Sequence, residues 1–135
     1  MSTKPQEQSK KAIYNDKEVG VCSWFLFNTL EESYAVRPYL YLDKETWMVS
    51  GKSPVFPVVF LDGLRIWDEF RLKGFGKRFM AEMLAIFKTQ GAKTVCVHVG
   101  FSNDEEEKIN NHFYGSIGFA ACDCAKMCSF FCLKL

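Results

Sequence analysis

Ile66-Trp67-Asp68-Glu69-Phe70-Arg71-Leu72-Lys73-Gly74-Phe75-Gly76-Lys77 is the stretch whose reading decides the fold. Upstream of it, Val55 to Trp67 is an extended run of β-formers, broken by Pro57 and by Asp62-Gly63, where a bulge or turn is expected. Downstream, Phe79, Met80, Met83, Leu84 and Phe87 recur at helical spacing between Phe75 and Gln90. Lys77, Arg78, Glu82 and Lys88 fill the other face of that helix, and Gly91 supplies a C-terminal stop. Lys93 to Val99 is then Val-rich with apolar residues on both faces, the pattern of an interior strand parallel to its predecessor. The quoted stretch is therefore the first turn of a βαβ unit. A helix N-terminus there presents unpaired backbone N–H groups, Gly74 and Gly76 allow close approach, and Arg71, Lys73, Lys77 and Arg78 add positive charge. Those features describe an anion site, with phosphate or pyrophosphate as the natural occupant. The same glycines would equally serve a tight turn that binds nothing. The spacing fits neither the P-loop nor the dinucleotide fingerprint.

Working outward, residues 1–11 are polar and read as a frayed N-terminus, with order beginning near Ala12. Ala12 to Tyr14, the turn Asn15 to Glu18, and Val19 to Phe27 read as strand, turn and long aromatic strand. Tyr34, Val36, Tyr39, Tyr41, Thr46, Trp47 and Val49 are β-formers interrupted by Pro38 and by Asp43-Lys44-Glu45, which predicts a meander with an edge strand. Ser50 to Pro54 reads as a loop. Asn103 ahead of Asp104, Glu105, Glu106 and Glu107 reads as the cap and acidic first turn of a short helix that runs to about Ser116 and stops near Gly118. Phe119 to Leu135 reads as two strands around a turn at 123–126.

The 135 residues suffice for one core and not for two ordinary domains, so residues 12–135 are expected to form a single domain. Seventeen basic against sixteen acidic residues leave no global field for nucleic acid or an anionic membrane. No run approaches a membrane span and the start lacks the apolar segment of a signal peptide, so a soluble, cytoplasmic protein is expected. The six cysteines, four of them in the tail at 122, 124, 128 and 132, lack paired C-x-x-C spacing and read as reduced thiols rather than a metal site. Trp24 to Phe27 and Phe130-Phe131 read as sheet core; facing outward, they would instead mark a homodimer seam.

Two motifs carry a resemblance. Arg71, Gly74 and Gly76 stand at the three positions of R-x-x-G-x-G, and Tyr114-Gly115-Ser116-Ile117-Gly118-Phe119 matches Y-x-x-x-G-F. With one helix, one strand and one acidic helix start between them, residues Leu61 to Phe119 resemble the GNAT superfamily of N-acetyltransferases. The resemblance implies an α+β GNAT fold: a mixed, twisted sheet with a central βαβ unit and few helices. It implies acetyl-CoA as co-substrate, with the pantetheine arm along free backbone groups at Ile66 and Trp67. The pyrophosphate would lie on Arg71, Leu72, Lys73, Gly74, Phe75, Gly76 and Lys77.

The implied function is transfer of acetyl to a primary amine by direct attack, without an acyl-enzyme. The acceptor would be a protein or peptide lysine or N-terminus, or a small amine. Tyr114 is matched to the tyrosine that protonates the departing thiolate, and Glu69 or Asp68 is expected to be the base, with Asp62 and His98 as alternates. Glu107 and Asn110 depart from the usual residues seven and four before the tyrosine, which leaves one usual cofactor contact either missing or supplied by Asn110 or Asn111. The rival reading is a GNAT-fold module that binds an acyl-CoA or a protein partner without turnover. The strand-rich first third, in place of the family's early helices, implies an open acceptor site.

Overall fold

A computed structural model describes residues 5–36, 55–100, 103–125 and 128–135. The first two strands are β1 (Gln8–Tyr14) and β2 (Lys17–Phe27), followed by helix α1 (Leu30–Val36) and strand β3 (Val58–Ile66). A single 3-10 turn, Asp68–Phe70, leads into helix α2 (Phe75–Thr89), then β4 (Thr94–Gly100), helix α3 (Asp104–Ile117), β5 (Ala120–Ala125) and β6 (Cys128–Lys134). The strands form one six-stranded sheet in the order β1-β2-β3-β4-β6-β5. Only β3 and β4 run parallel, as a helical crossover requires; the other pairings are antiparallel. The expected α+β architecture, with antiparallel start, βαβ centre and terminal hairpin, is what the chain adopts.

The first hairpin turns at Asn15 and Asp16, whose φ values of 54° and 63° are the left-handed pair that a two-residue hairpin loop needs. Asp62 is the bulge expected on β3, because Ser23 faces Gly63 while Trp24 faces Leu61. Alternation along β3 separates two cores. Val59 and Leu61 join Cys22, Trp24, Phe79, Met80, Met83, Phe87, Val95, Val97, Tyr114 and Phe131 beneath α2 and α3. Val58 and Phe60 join Phe25, Phe27 and Cys96 on the opposite face, where Val36 of α1 packs. Each such side chain contributes about 1.5–3 kcal/mol by leaving water. Trp24, Phe25, Phe27 and Phe131 thus fill the core.

Three expectations are corrected. Order begins at Gln8, not Ala12: Gln8 pairs with Trp24 and Lys10 with Cys22, on an edge strand whose exposed Lys residues suit an edge. Tyr34 and Val36 lie in a helix rather than a strand, so the region before β3 does contain helix. A capping arrangement wins over β-propensity there. Thr29 Oγ1 accepts the Glu32 N–H at 3.3 Å and Glu32 Oε2 accepts the Asn28 N–H at 2.9 Å. The acidic helix has the bounds expected of it, Asp104–Ile117, whereas β5 runs to Ala125, through most of the expected turn. The meander positions Tyr39, Tyr41, Thr46, Trp47 and Val49 and the loop Ser50 to Pro54 lie outside the described residues.

Candidate functional site

The sheet opens at one seam. Parallel pairing between β3 and β4 runs from Val58/Thr94 to Leu61/Val97 and goes no further, although β3 continues to Ile66 and β4 to Gly100. Past Leu61, β3 stays paired only to β2, and β4 only to β6. The Trp67 N–H donates to Val19 C=O at 2.8 Å, which assigns that residue's N–H to the β2 side. Alternation then turns the backbone groups of Ile66 and Leu64 toward the opening. Arg71 confirms the direction, since its Nε donates to Ile66 C=O at 3.1 Å across that edge.

A cleft of about 590 Å³ occupies this seam. Leu64, Arg65 and Ile66 form its floor; Arg71, Leu72, Gly74, Gly76 and Lys77 form one wall. Ile109, Asn110, Phe113 and Tyr114 of α3 form the other, and Phe70 also lines the cleft. Gly74 has φ +83°, an αL conformation that a residue with Cβ adopts at a cost, and a Cβ there would meet open space. Gly76 serves a different purpose. A Cβ at 76 would lie 3.1 Å from Phe113 Cε1, so this glycine lets α2 and α3 approach. The first intrahelical bond of α2 runs from Arg78 N–H to Gly74 C=O at 3.2 Å. The N–H groups of Phe75, Gly76 and Lys77 therefore have no partner within the helix, and no side chain caps them.

The charges divide. Arg71 is held through Nε by Ile66 C=O and by Asp68 Oδ1 at 3.3 Å, and both Arg71 and Lys77 line the cleft. Lys73 is exposed on the loop outside the wall. Arg78, counted with the anion site from sequence, faces elsewhere: it lies 4.0 Å from the centroid of the Tyr14 ring and 3.8 Å from Glu82 Oε1. Phe75 also turns away and stacks on Tyr14 at 5.4 Å, which leaves its backbone as the part that reaches the site.

Tyr114 is 8% exposed, stacked on Phe131 at 4.9 Å and edge-on to Phe113 and Phe119 at 5.0 and 5.5 Å. Burial, with a smaller contribution from neighbouring Cys22, pushes its phenol up to about 12. Among the described residues its hydroxyl has no hydrogen-bond partner. Asn110 also lines the cleft. Trp67 differs from expectation, since its N–H is taken by Val19 and its C=O by the Phe70 N–H at 2.8 Å. Leu64 takes its place on the open edge; the two-residue alternation from Ile66 is the signal that would have found it. Glu69 and Asp68 are exposed on the 3-10 turn and do not line the cleft. Asp62 is exposed at the bulge, and the side chains of His98 and Glu107 lie outside the described residues.

A strand splayed from its parallel neighbour, with a cationic helix start at its end, is the architecture of the GNAT acetyltransferases. The chain has that fold. It superposes with a TM-score of 0.62 on the PaiA N-acetyltransferase of Thermoplasma acidophilum in complex with coenzyme A, at 16% identity. That match covers 96% of this chain and 61% of the other, so the chain spans about three fifths of that protein's length. The TM-score is 0.60 against Arabidopsis thaliana Naa50 in complex with the bisubstrate analogue CoA-Ac-MVNAL, at 20% identity over 94% of this chain and 72% of that one. Against AAC(6')-Iy in complex with the bisubstrate analogue CoA-S-monomethyl-acetylneamine it is 0.57, at 16% identity over 90% and 65%. No family model and no curated protein matches the sequence.

Proposed function

We propose that this chain is an N-acetyltransferase that moves acetyl from acetyl-CoA to a primary amine. The observation that carries the proposal is the cleft itself: an open β3 edge, unpaired N–H groups at the start of α2, and the buried Tyr114, whose hydroxyl has no hydrogen-bond partner among the described residues, border one space. The residues fit the co-substrate. Pyrophosphate oxygens are dianionic acceptors, and the N–H groups of Phe75, Gly76 and Lys77 with the Arg71 and Lys77 cations offer them donors and charge. The Leu64 backbone and the Ile66 N–H offer a strand-like partner to an amide-bearing arm. Solved structures of this fold in complex with coenzyme A support the same reading.

In the proposed reaction the amine nitrogen attacks the acetyl carbonyl carbon, the carbon–sulfur bond breaks, and sulfur leaves with its electron pair. A phenol near 12 does not hand its proton to a thiolate of ordinary basicity. Full transfer over the roughly 3 pKa units between them would be uphill by about 4–5 kcal/mol. Tyr114 therefore hydrogen-bonds the departing sulfur while keeping its proton, and the proton lost by the amine leaves through water. Acceptors of the kind used by the neighbours, a peptide N-terminus or an aminoglycoside, are the classes to try first.

One observation favours a binding module instead: among the described residues, no carboxylate or histidine lines the cleft. Release of free thiol from acetyl-CoA, with and without a panel of peptides, polyamines and aminoglycosides, separates the two. Amine-dependent thiol release supports the transferase; calorimetric binding with no thiol release under any acceptor supports the module.

A further inference from the structure

The second core, on the face away from the cleft helices, holds two cysteines in register. Cys96 of β4 is directly opposite Cys132 of β6. At the end of the same ladder the Leu135 N–H donates to Lys93 C=O at 2.9 Å, which makes 93/135 a hydrogen-bonded pair. Alternation makes Cys96/Cys132 a non-hydrogen-bonded pair, the kind whose α-carbons approach to about 4.5 Å and whose side chains lie closest. That spacing falls inside the range of about 4.4–6.8 Å that a disulfide spans without backbone movement. The two Sγ atoms are 3.1 Å apart. Cys96 is fully buried beside Phe25, Phe27 and Phe60, while Cys132 is half-buried and packs against the same cluster. Cys22, the remaining cysteine whose side chain is described, is buried in the other core.

We propose that Cys96 and Cys132 form a reversible dithiol–disulfide couple that closes on exposure to hydrogen peroxide. Cys132, the more accessible, attacks the peroxide oxygen; the O–O bond breaks, water leaves with the thiol proton, and Cys132 becomes a sulfenic acid. Cys96 sulfur then attacks Cys132 sulfur, the S–O bond breaks, and a second water leaves with the Cys96 proton. Two thiols are oxidised, one peroxide is reduced to two waters, and an external dithiol reverses the bond by exchange.

The crosslink ties β4 to β6 one residue before the last β3–β4 pair, Leu61/Val97, at the root of the cleft. It closes a loop that contains α3 and therefore Tyr114. Closing that loop restricts the unfolded chain, so oxidation is expected to raise the melting midpoint by on the order of 5–10 °C. This does not depend on the acetyltransferase reading.

The test uses the full chain, reduced, then treated with hydrogen peroxide, alkylated and digested with trypsin without reductant. The expected product joins the peptide 94–108, which carries Cys96, to the peptide 127–134, with fragmentation placing the bond on Cys132 and not on Cys128. The melting midpoint should rise with the same dose and return on adding dithiothreitol. Cys132→Ala should melt near the reduced wild type and show neither linkage nor rise; Cys132→Ser serves if the alanine variant fails to fold. Recovery of Cys96 and Cys132 as alkylated thiols or sulfinic acids while other cysteines have reacted would overturn the proposal. So would a bond from Cys132 to another cysteine, or a midpoint that falls on linkage.

Discussion

Replacing Tyr114 by phenylalanine removes one oxygen and leaves every ring contact in place. The stack on Phe131 and the edge contacts with Phe113 and Phe119 involve the ring alone. A buried hydroxyl without a partner costs about 1–3 kcal/mol, and Tyr114 borders an open cleft from which water relieves part of that cost, which puts it at the low end. Tyr114→Phe is therefore expected to raise stability by about 1 kcal/mol, or about 4 °C in melting midpoint for a chain of this size. Turnover should move the other way. A hydrogen bond to a sulfur acquiring negative charge is worth about 1.5–3 kcal/mol, so kcat should fall by about 10- to 100-fold with acetyl-CoA affinity unchanged. Thermal melts and thiol release on the same preparation read both quantities. A midpoint lowered by several degrees would show that the hydroxyl has a partner in the fold, and an unchanged kcat would remove it from the reaction.

Gly74→Ala should destabilise by about 1 kcal/mol, because φ is +83° while the space around a new Cβ is open; Gly74→Asn should cost less, and equal costs in denaturant melts would argue against backbone strain as the cause. Leu72 holds φ +62° with its side chain fully exposed, so Leu72→Asn should stabilise by a few tenths of a kcal/mol in the same melts, and a loss would mean the side chain makes a contact. Burial raises Cys22 from 9.0 and Tyr114 from 10.0, each to about 12. Their protonated forms belong to the folded state, so this stability is complete below about pH 9 and drains away as pH climbs toward 12. Melting midpoints should begin to fall above pH 9, and a flat profile to pH 11 would contradict the assigned burial.

The βαβ unit was legible because two periodicities meet at Arg71. Helical spacing of Phe79, Met83 and Phe87 and the Val-rich run after Gly91 leave few alternatives. The anion loop was legible as a composition of glycine and cation, yet sequence could not tell what each glycine does. Gly74 answers to a backbone angle and Gly76 to the Phe113 ring, a contact between residues far apart in the chain. Arg78 looked like part of the loop for the same reason; only the fold shows that Tyr14 and Glu82 draw it away. Helix α1 was missed although Thr29-Leu30-Glu31-Glu32 spells a capping box, because aromatic and β-branched residues nearby weighed toward strand. Strand β1 was begun too late, since an edge strand draws stability from its ladder and needs few apolar side chains.

The central claim is that the loop from Arg71 to Lys77 holds the pyrophosphate of a coenzyme A thioester beside the open edge of β3. Titration calorimetry with coenzyme A, comparing the wild-type chain with Arg71→Glu/Lys77→Glu, tests it directly. Each reversed charge forfeits a charge-assisted contact worth about 1.5–3 kcal/mol, so the pair should weaken binding by more than 100-fold, while loss of the Arg71 contacts to Ile66 and Asp68 lowers the melting midpoint by only a few degrees. Wild-type affinity retained by the folded double variant, or no coenzyme A binding by the wild-type chain, would contradict the account.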